Sequence, residues 1–147
     1  MPSTPKVLIV DDEERYRATL QKLLTVMGLD AETADSGKQA LEKLRKKPFD
    51  VILLDVKMPG MDGMETLAEI KKIDPGLEVI MLTGHASVDV AVEIMRLGGY
   101  EYLLKPCPID DLKAKIDAAY ERKLTREGKY EKPGGASGIR HPASRIS

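Results

Sequence analysis

There is no tryptophan in this chain of 147 residues, one phenylalanine (Phe49) and one cysteine (Cys107). A single cysteine excludes an intramolecular disulfide framework and fits a reducing cytosol. No apolar run is long enough to span a bilayer, and Met1-Pro-Ser-Thr-Pro-Lys6 leads into a short strand rather than a signal-peptide core. A Walker-type Gly-x-x-x-x-Gly-Lys-Ser/Thr loop is missing, as is a DNA-binding helix-turn-helix. Net charge is close to nil at −1, but it is unevenly spread. Glu121 to Ser147 carries seven Lys/Arg against three Glu, hence +4, and residues 1–120 carry sixteen basic against twenty-one acidic side chains, hence −5. An acidic body with a basic tail argues against nucleic acid as a partner. The expectation is a cytoplasmic protein that binds neither nucleic acid nor membrane.

What is present is a regular alternation, in a length that suits one domain. Val51-Ile-Leu-Leu54 is an apolar run of the kind that forms a strand buried on both faces. It ends in Asp55, and the chain turns at once through Pro59-Gly60. Lys6 to Val10, Asp30 to Ala34, Glu78 to Leu82 and Tyr100 to Leu104 read as four further strands, the second of them polar enough for a sheet edge. Helical spacing joins them: Leu20, Leu23, Leu24 and Met27 before Gly28; Ala40, Leu41 and Leu44 after a Ser36 cap; Met64, Leu67, Ala68 and Ile70 after a capping box of Asp62 with Glu65; Val90, Ala91, Ile94, Met95 and Leu97 after Ser87; and Leu112, Ile116 and Ala119, with Pro108 in the first turn. Five β–α units in alternation predict an α/β fold, a doubly wound parallel sheet of order 2-1-3-4-5 with a flavodoxin-like (βα)5 course. The helical pattern fails after about Arg126. Residues 1–122 are expected to form the domain, and 123–147 a basic, flexible, Gly/Pro-rich tail.

The residues just after the strands carry the chemistry. Strand one is followed by Asp11 and Asp12, strand three ends in Asp55, strand four is followed by Thr83 and strand five by Lys105. Each has an ordinary reading by itself: a helix-capping pair, a loop acid, a turn residue, a surface lysine. Together they converge on the carboxyl rim of a parallel sheet, where such folds bind ligands, with strands one and three adjacent at the switch point. Three carboxylates side by side repel unless a hard divalent cation binds them, and an all-oxygen set suits Mg²⁺. An aspartate can serve as nucleophile and form an aspartyl phosphate. Such a transfer needs positioning and charge neutralisation more than proton chemistry. Lys105 would supply a point charge, and the Thr83 hydroxyl a donor, to phosphoryl oxygens.

The combination of Val-Asp-Asp, Leu-Leu-Asp-Val-Lys-Met-Pro-Gly-Met-Asp-Gly, Met-Leu-Thr-Gly and Tyr-Leu-Leu-Lys-Pro closely resembles the receiver domain of bacterial two-component response regulators, over about Lys6 to Arg122. The resemblance implies that Asp55 is the phosphoacceptor, served by a sensor histidine kinase or a histidine phosphotransfer protein. It implies Asp12 as a direct Mg²⁺ ligand and Asp11 as one largely through water, with Asp55 and the main-chain carbonyl of Lys57 completing the protein ligands. Lys105 resembles the phosphate-pairing lysine, ahead of a typically cis bond to Pro106. Thr83 and Tyr102 resemble the family's switch pair, read out on the helix starting near Ser87, the fifth strand and the last helix. Cys107 stands where the family often has Phe, and is read as a small packing residue. Lys57 and His85 occupy positions that influence the lifetime of the phosphoryl group.

On this reading the chain is no enzyme beyond slow self-catalysed phosphorylation and dephosphorylation. It is a switch or phosphorelay intermediate acting through protein contacts with an unknown downstream target, as a monomer or a weak phosphorylation-dependent dimer. A close alternative is the excised receiver of a larger transcriptional regulator, because Lys-Pro-Cys resembles receivers attached to sigma-54-activating ATPases. An aspartyl-nucleophile phosphatase of the haloacid-dehalogenase type would need a second Asp at position 57, where Lys57 stands. A flavodoxin-like cofactor binder would need a Gly-rich phosphate loop, and the acid cluster would repel FMN.

Overall fold

The computed structural model describes residues 4–58, 60–85 and 87–128. Five strands alternate with five helices: β1 (Lys6–Val10), α1 (Glu14–Val26), β2 (Asp30–Ala34), α2 (Gly37–Lys46), β3 (Val51–Asp55), α3 (Gly63–Ile73), β4 (Glu78–Thr83), α4 (Val88–Arg96), β5 (Glu101–Leu104) and α5 (Ile109–Arg126). All strands are parallel, in the order β2-β1-β3-β4-β5. The fold is the expected flavodoxin-like one, and the polar segment Asp30–Ala34 lies at its edge.

The alternating side chains of each strand feed two separate cores. Leu8, Val10, Ile52, Leu54, Val79 and Met81 point to the face covered by α2, α3 and α4. Val7, Ile9, Val51, Leu53, Ile80 and Leu82 point to the face covered by α1 and α5. All five residues of β3 and all six of β4 are buried, so these central strands read as continuous apolar runs broken only by their terminal polar residues.

The helix starts follow local chemistry. Ser36 Oγ accepts from the Gln39 N–H and Ser87 Oγ from the Val90 N–H. Asp62 and Glu65 form the reciprocal capping box expected of them. Gly28, past the end of α1, has φ +91°, a conformation that favours glycine. Pro108 takes the N-cap position rather than the first helical turn, and α5 begins at Ile109.

The end of α5 falls where the helical pattern of the sequence fails. The helix continues to Arg126, four residues past the boundary placed at residue 122. Long-range contacts hold this last turn: Lys123 reaches Asp50 at 3.1 Å, and Arg126 reaches Glu78 at 2.8 Å and the Gly76 carbonyl at 2.6 Å. The rest of the expected tail, from residue 129 on, lies outside the described residues.

Candidate phosphoacceptor and metal site

Parallel pairing in register brings the strand ends to one rim. β1 and β3 pair Val10 with Leu54, so the acids that follow, Asp11 and Asp55, are neighbours. β3 and β4 pair Asp55 with Leu82, one residue before Thr83. β4 and β5 pair Thr83 with Leu104, one residue before Lys105. Five polar residues from four strand ends thus meet, as the sequence leads one to expect.

The backbone of α3 closes in from one side. A Cβ on Gly63 would lie 2.2 Å from the Asp55 carbonyl oxygen and 2.7 Å from the Val56 Cα. Only glycine allows the start of α3 to press against the end of β3 this closely. The Gly63 N–H donates to the Val56 carbonyl at 2.9 Å, which ties the loop back on itself.

Asp11 and Asp55 are buried and Asp12 is exposed, and one carboxylate oxygen from each lies within 4.8 Å of the others. Lys105 Nζ donates to Asp11 Oδ2 at 2.8 Å and stands 3.4 Å from Asp55 Oδ1. Burial, followed by the charge of Asp11, pushes the Asp55 carboxyl above its ordinary range; Lys105 and the Lys57 main-chain N–H pull the other way without cancelling the effect. Burial also works against the Lys105 ammonium, but the Asp11 hydrogen bond and the two carboxylate charges outweigh it and hold the group above its ordinary value. Lys105 pairs with two of the three clustered carboxylates, and the cluster retains an excess of negative charge. All-oxygen donors with one exposed member are a set that fits a hard divalent cation with water among its ligands.

The acidic pair does not cap α1, since Glu13 occupies the N-cap position and makes no side-chain cap bond. Asp11 instead organises its own loop. The Glu13 N–H donates to Asp11 Oδ1 at 2.9 Å, and Arg17 donates to the Asp11 carbonyl at 2.7 Å. Thr83 is buried, and its hydroxyl is engaged with the main chain of His85: it accepts from the N–H at 3.1 Å and donates to the carbonyl at 3.2 Å. Lys57 and His85 are exposed beside the pocket. Tyr102 is half-buried and packs against the core under α2, α3 and α4. The Lys105–Pro106 bond is cis, as the resemblance implied. Cys107 packs against the other core, and burial pushes its thiol up, the wrong direction for a reactive thiolate.

One member of the site escaped sequence reading. The ring of Tyr16, in the first turn of α1, lies 4.6 Å from Lys105 Nζ, measured to its centroid. The only trace in the sequence is an aromatic four residues after Asp12, which helical spacing alone assigns to packing.

Comparison with known proteins places this geometry. The sequence family described as the response regulator receiver domain matches residues 7–117. Transcriptional regulatory protein ZraR of Escherichia coli is 42% identical over 113 residues, which cover 77% of this chain and 26% of that protein. DNA-binding transcriptional regulator NtrC of Klebsiella pneumoniae is 43% identical over 111 residues, covering 76% of this chain and 24% of that protein. The chain thus spans about a quarter of the length of these curated relatives. Among solved structures, a CheY-like response regulator receiver domain protein from Methanospirillum hungatei superposes with a TM-score of 0.80 at 31% identity, over 84% of this chain and 99% of that one.

Proposed function

The chain belongs to the response regulator receiver domain family of two-component systems, and from that premise we propose that Asp55 is its phosphoacceptor. A receiver is a phosphoacceptor signalling module, so a phosphodonor protein is implied. The finer reading is a sensor histidine kinase or histidine phosphotransfer protein acting in the cytoplasm. One observation carries the assignment: Asp55 ends the central strand beside two further acids, with the Lys105 ammonium 3.4 Å away. An Asp55 carboxylate oxygen would attack the phosphorus of a phosphohistidine. The new O–P bond forms as the N–P bond breaks, and its electron pair leaves with the imidazole. Lys105 would exchange carboxylate contacts for a phosphoryl oxygen, and Thr83 would turn its hydroxyl from His85 to another.

Asp11, Asp12, Asp55 and the Lys57 carbonyl would hold Mg²⁺. When bound, the ion supplies the positive charge that offsets three carboxylates and an incoming phosphoryl group. The rearrangement at Thr83 would pass to Tyr102, which is half-buried on the adjacent strand. The readout face would be α4, β5 and α5, a reading supported by exposed apolar side chains at Val88, Val92, Met95 and Leu104. Exposed Lys57 and His85 would set water access and so the rate of slow self-dephosphorylation. Replacing both by Ala should change the decay of the aspartyl phosphate, and unchanged decay would sink that role.

The deciding experiment is intact mass after incubation with acetyl phosphate and Mg²⁺. The wild type should gain one phosphate only when Mg²⁺ is present, and Asp55→Ala should gain none. A wild type that stays unmodified even with a histidine phosphodonor protein would overturn the assignment.

The coverage of the relatives supports a second reading, in which these residues form the receiver portion of a longer transcriptional regulator. Residues 1–122 as receiver and 123–147 as connecting segment belong to that reading as much as to the first. Sequencing the gene beyond codon 147 separates the two: an open frame that continues into an ATPase and DNA-binding region favours the second, and a stop codon favours the first.

A further inference from the structure

We propose that Tyr16 is a positioning residue for phosphoryl transfer, its ring face holding the Lys105 ammonium over the Asp11–Asp55 pair. This rests on the reading of Asp55 as phosphoacceptor.

A lysine head on its four-carbon stem has no fixed direction unless its surroundings supply one. Here three groups do. Asp11 Oδ2 lies at 2.8 Å, Asp55 Oδ1 at 3.4 Å, and the Tyr16 ring at 4.6 Å from its centroid. That ring distance is within the range where an aromatic face attracts a cation. With the ring in place the Lys105 side chain is 20% exposed. The carboxylates by themselves do not fix the lysine during the reaction, because Asp55 changes from partner to phosphoryl carrier. The ring neither reacts nor competes for a phosphoryl oxygen, so it can hold the ammonium while the carboxylate contacts are exchanged.

Tyr16 is well placed to keep that role. It stands on α1, the helix that follows the acidic loop, and packs against the core shared with α5. Arg17, beside it, donates to the Asp11 carbonyl at 2.7 Å, so ring and acidic loop form one braced unit. Lys105 arrives from β5, and the ring registers it against that unit. The attraction comes from the ring face, so the hydroxyl is dispensable.

The test compares wild type, Tyr16→Phe and Tyr16→Leu, each with Lys105 intact and with Lys105→Ala. The readouts are the rate of phosphate gain from acetyl phosphate, the Mg²⁺ dissociation constant and the thermal midpoint. With Lys105 intact, Tyr16→Leu should slow phosphorylation roughly tenfold, leave Mg²⁺ affinity unchanged, and be rescued by Tyr16→Phe. In the Lys105→Ala background, Tyr16→Leu should add no further loss. Equal slowing in both backgrounds, or a Phe variant as slow as Leu, would overturn the proposal in favour of simple packing. A second measurement needs no phosphate: the Lys105 Cε protons, assigned by comparison with Lys105→Ala, should lose their upfield ring shift in Tyr16→Leu. A shift that persists overturns the contact. A wild type that shows the shift, loses it in Tyr16→Leu and yet never takes phosphate would instead leave the contact standing and overturn Asp55 as acceptor, and with it the role in transfer.

Discussion

The two ends of the sheet are both charged, and they differ in balance. At the amino end, Glu78 is 1% exposed and meets two guanidinium groups, Arg126 at 2.8 Å and Arg122 at 3.4 Å. Asp50 beside it accepts from the Lys6 main-chain N–H at 2.8 Å and from Lys123 at 3.1 Å. Cations there match or outnumber the carboxylates. At the carboxyl end three carboxylates cluster, and the one ammonium that reaches them pairs with Asp11 and Asp55. A buried charge that is fully partnered fixes structure, whereas a surplus of one sign is held in readiness for something that balances it. The same residue types therefore fasten α5 at one end and prepare a site at the other.

Breaking the balanced end should have the largest effect. Glu78→Ala should destabilise the protein by about 2–3 kcal/mol in urea unfolding, below the usual cost for a fully buried pair because both arginines reach solvent. A loss under half of that would mean that water replaces the carboxylate without strain. The unbalanced end should respond to its missing cation instead. Mg²⁺ at ten times its dissociation constant should stabilise the wild type by roughly 1.4 kcal/mol by mass action, and Asp12→Ala should lose most of that gain. An equal gain in both proteins would remove Asp12 from the ligand set.

Asp55→Asn should sharpen the contrast in sign. In chelator it should stabilise the fold by about 1 kcal/mol at neutral pH, because it removes a buried charge that Asp11 repels. The folded-state value of Asp55 is raised above 3.8, so folding favours the protonated form. The cost of ionising it is full above the raised value and gone below 3.8. The advantage of Asp55→Asn should therefore shrink as pH falls through that window, in paired denaturation curves. A gap that widens on acidification would contradict the burial argument. Lys123→Ala should cost the least, about 0.5–1 kcal/mol, with little dependence on salt because the side chain is 12% exposed.

Most of the fold was legible because its signals are local. The strands Lys6–Val10 and Asp30–Ala34 match their predicted bounds, and the caps at Ser36, Asp62 and Ser87 form with residues three positions away. Strand ends gave the candidate site too, since a parallel sheet sends every carboxyl end to one rim. The end of α5 was legible as the point near Arg126 where the helical pattern fails, but what holds its last turn was not. Its last turn is held by Asp50 and Glu78, which are 73 and 48 residues away from their partners Lys123 and Arg126. Glu78 in sequence is an unremarkable acid at the start of an apolar run.

By itself, the sequence determined the order of elements, the faces they bury and the acids and base that meet at the rim. These depend on spacings of two to four residues and on the direction of the strands. Tertiary structure alone decided which base answers which acid. Lys105 and Asp11 bond across 94 residues of chain, and Tyr16 meets the same lysine from the first turn of α1. Such contacts are set by the distance between packed layers, and no periodicity along the chain encodes that distance.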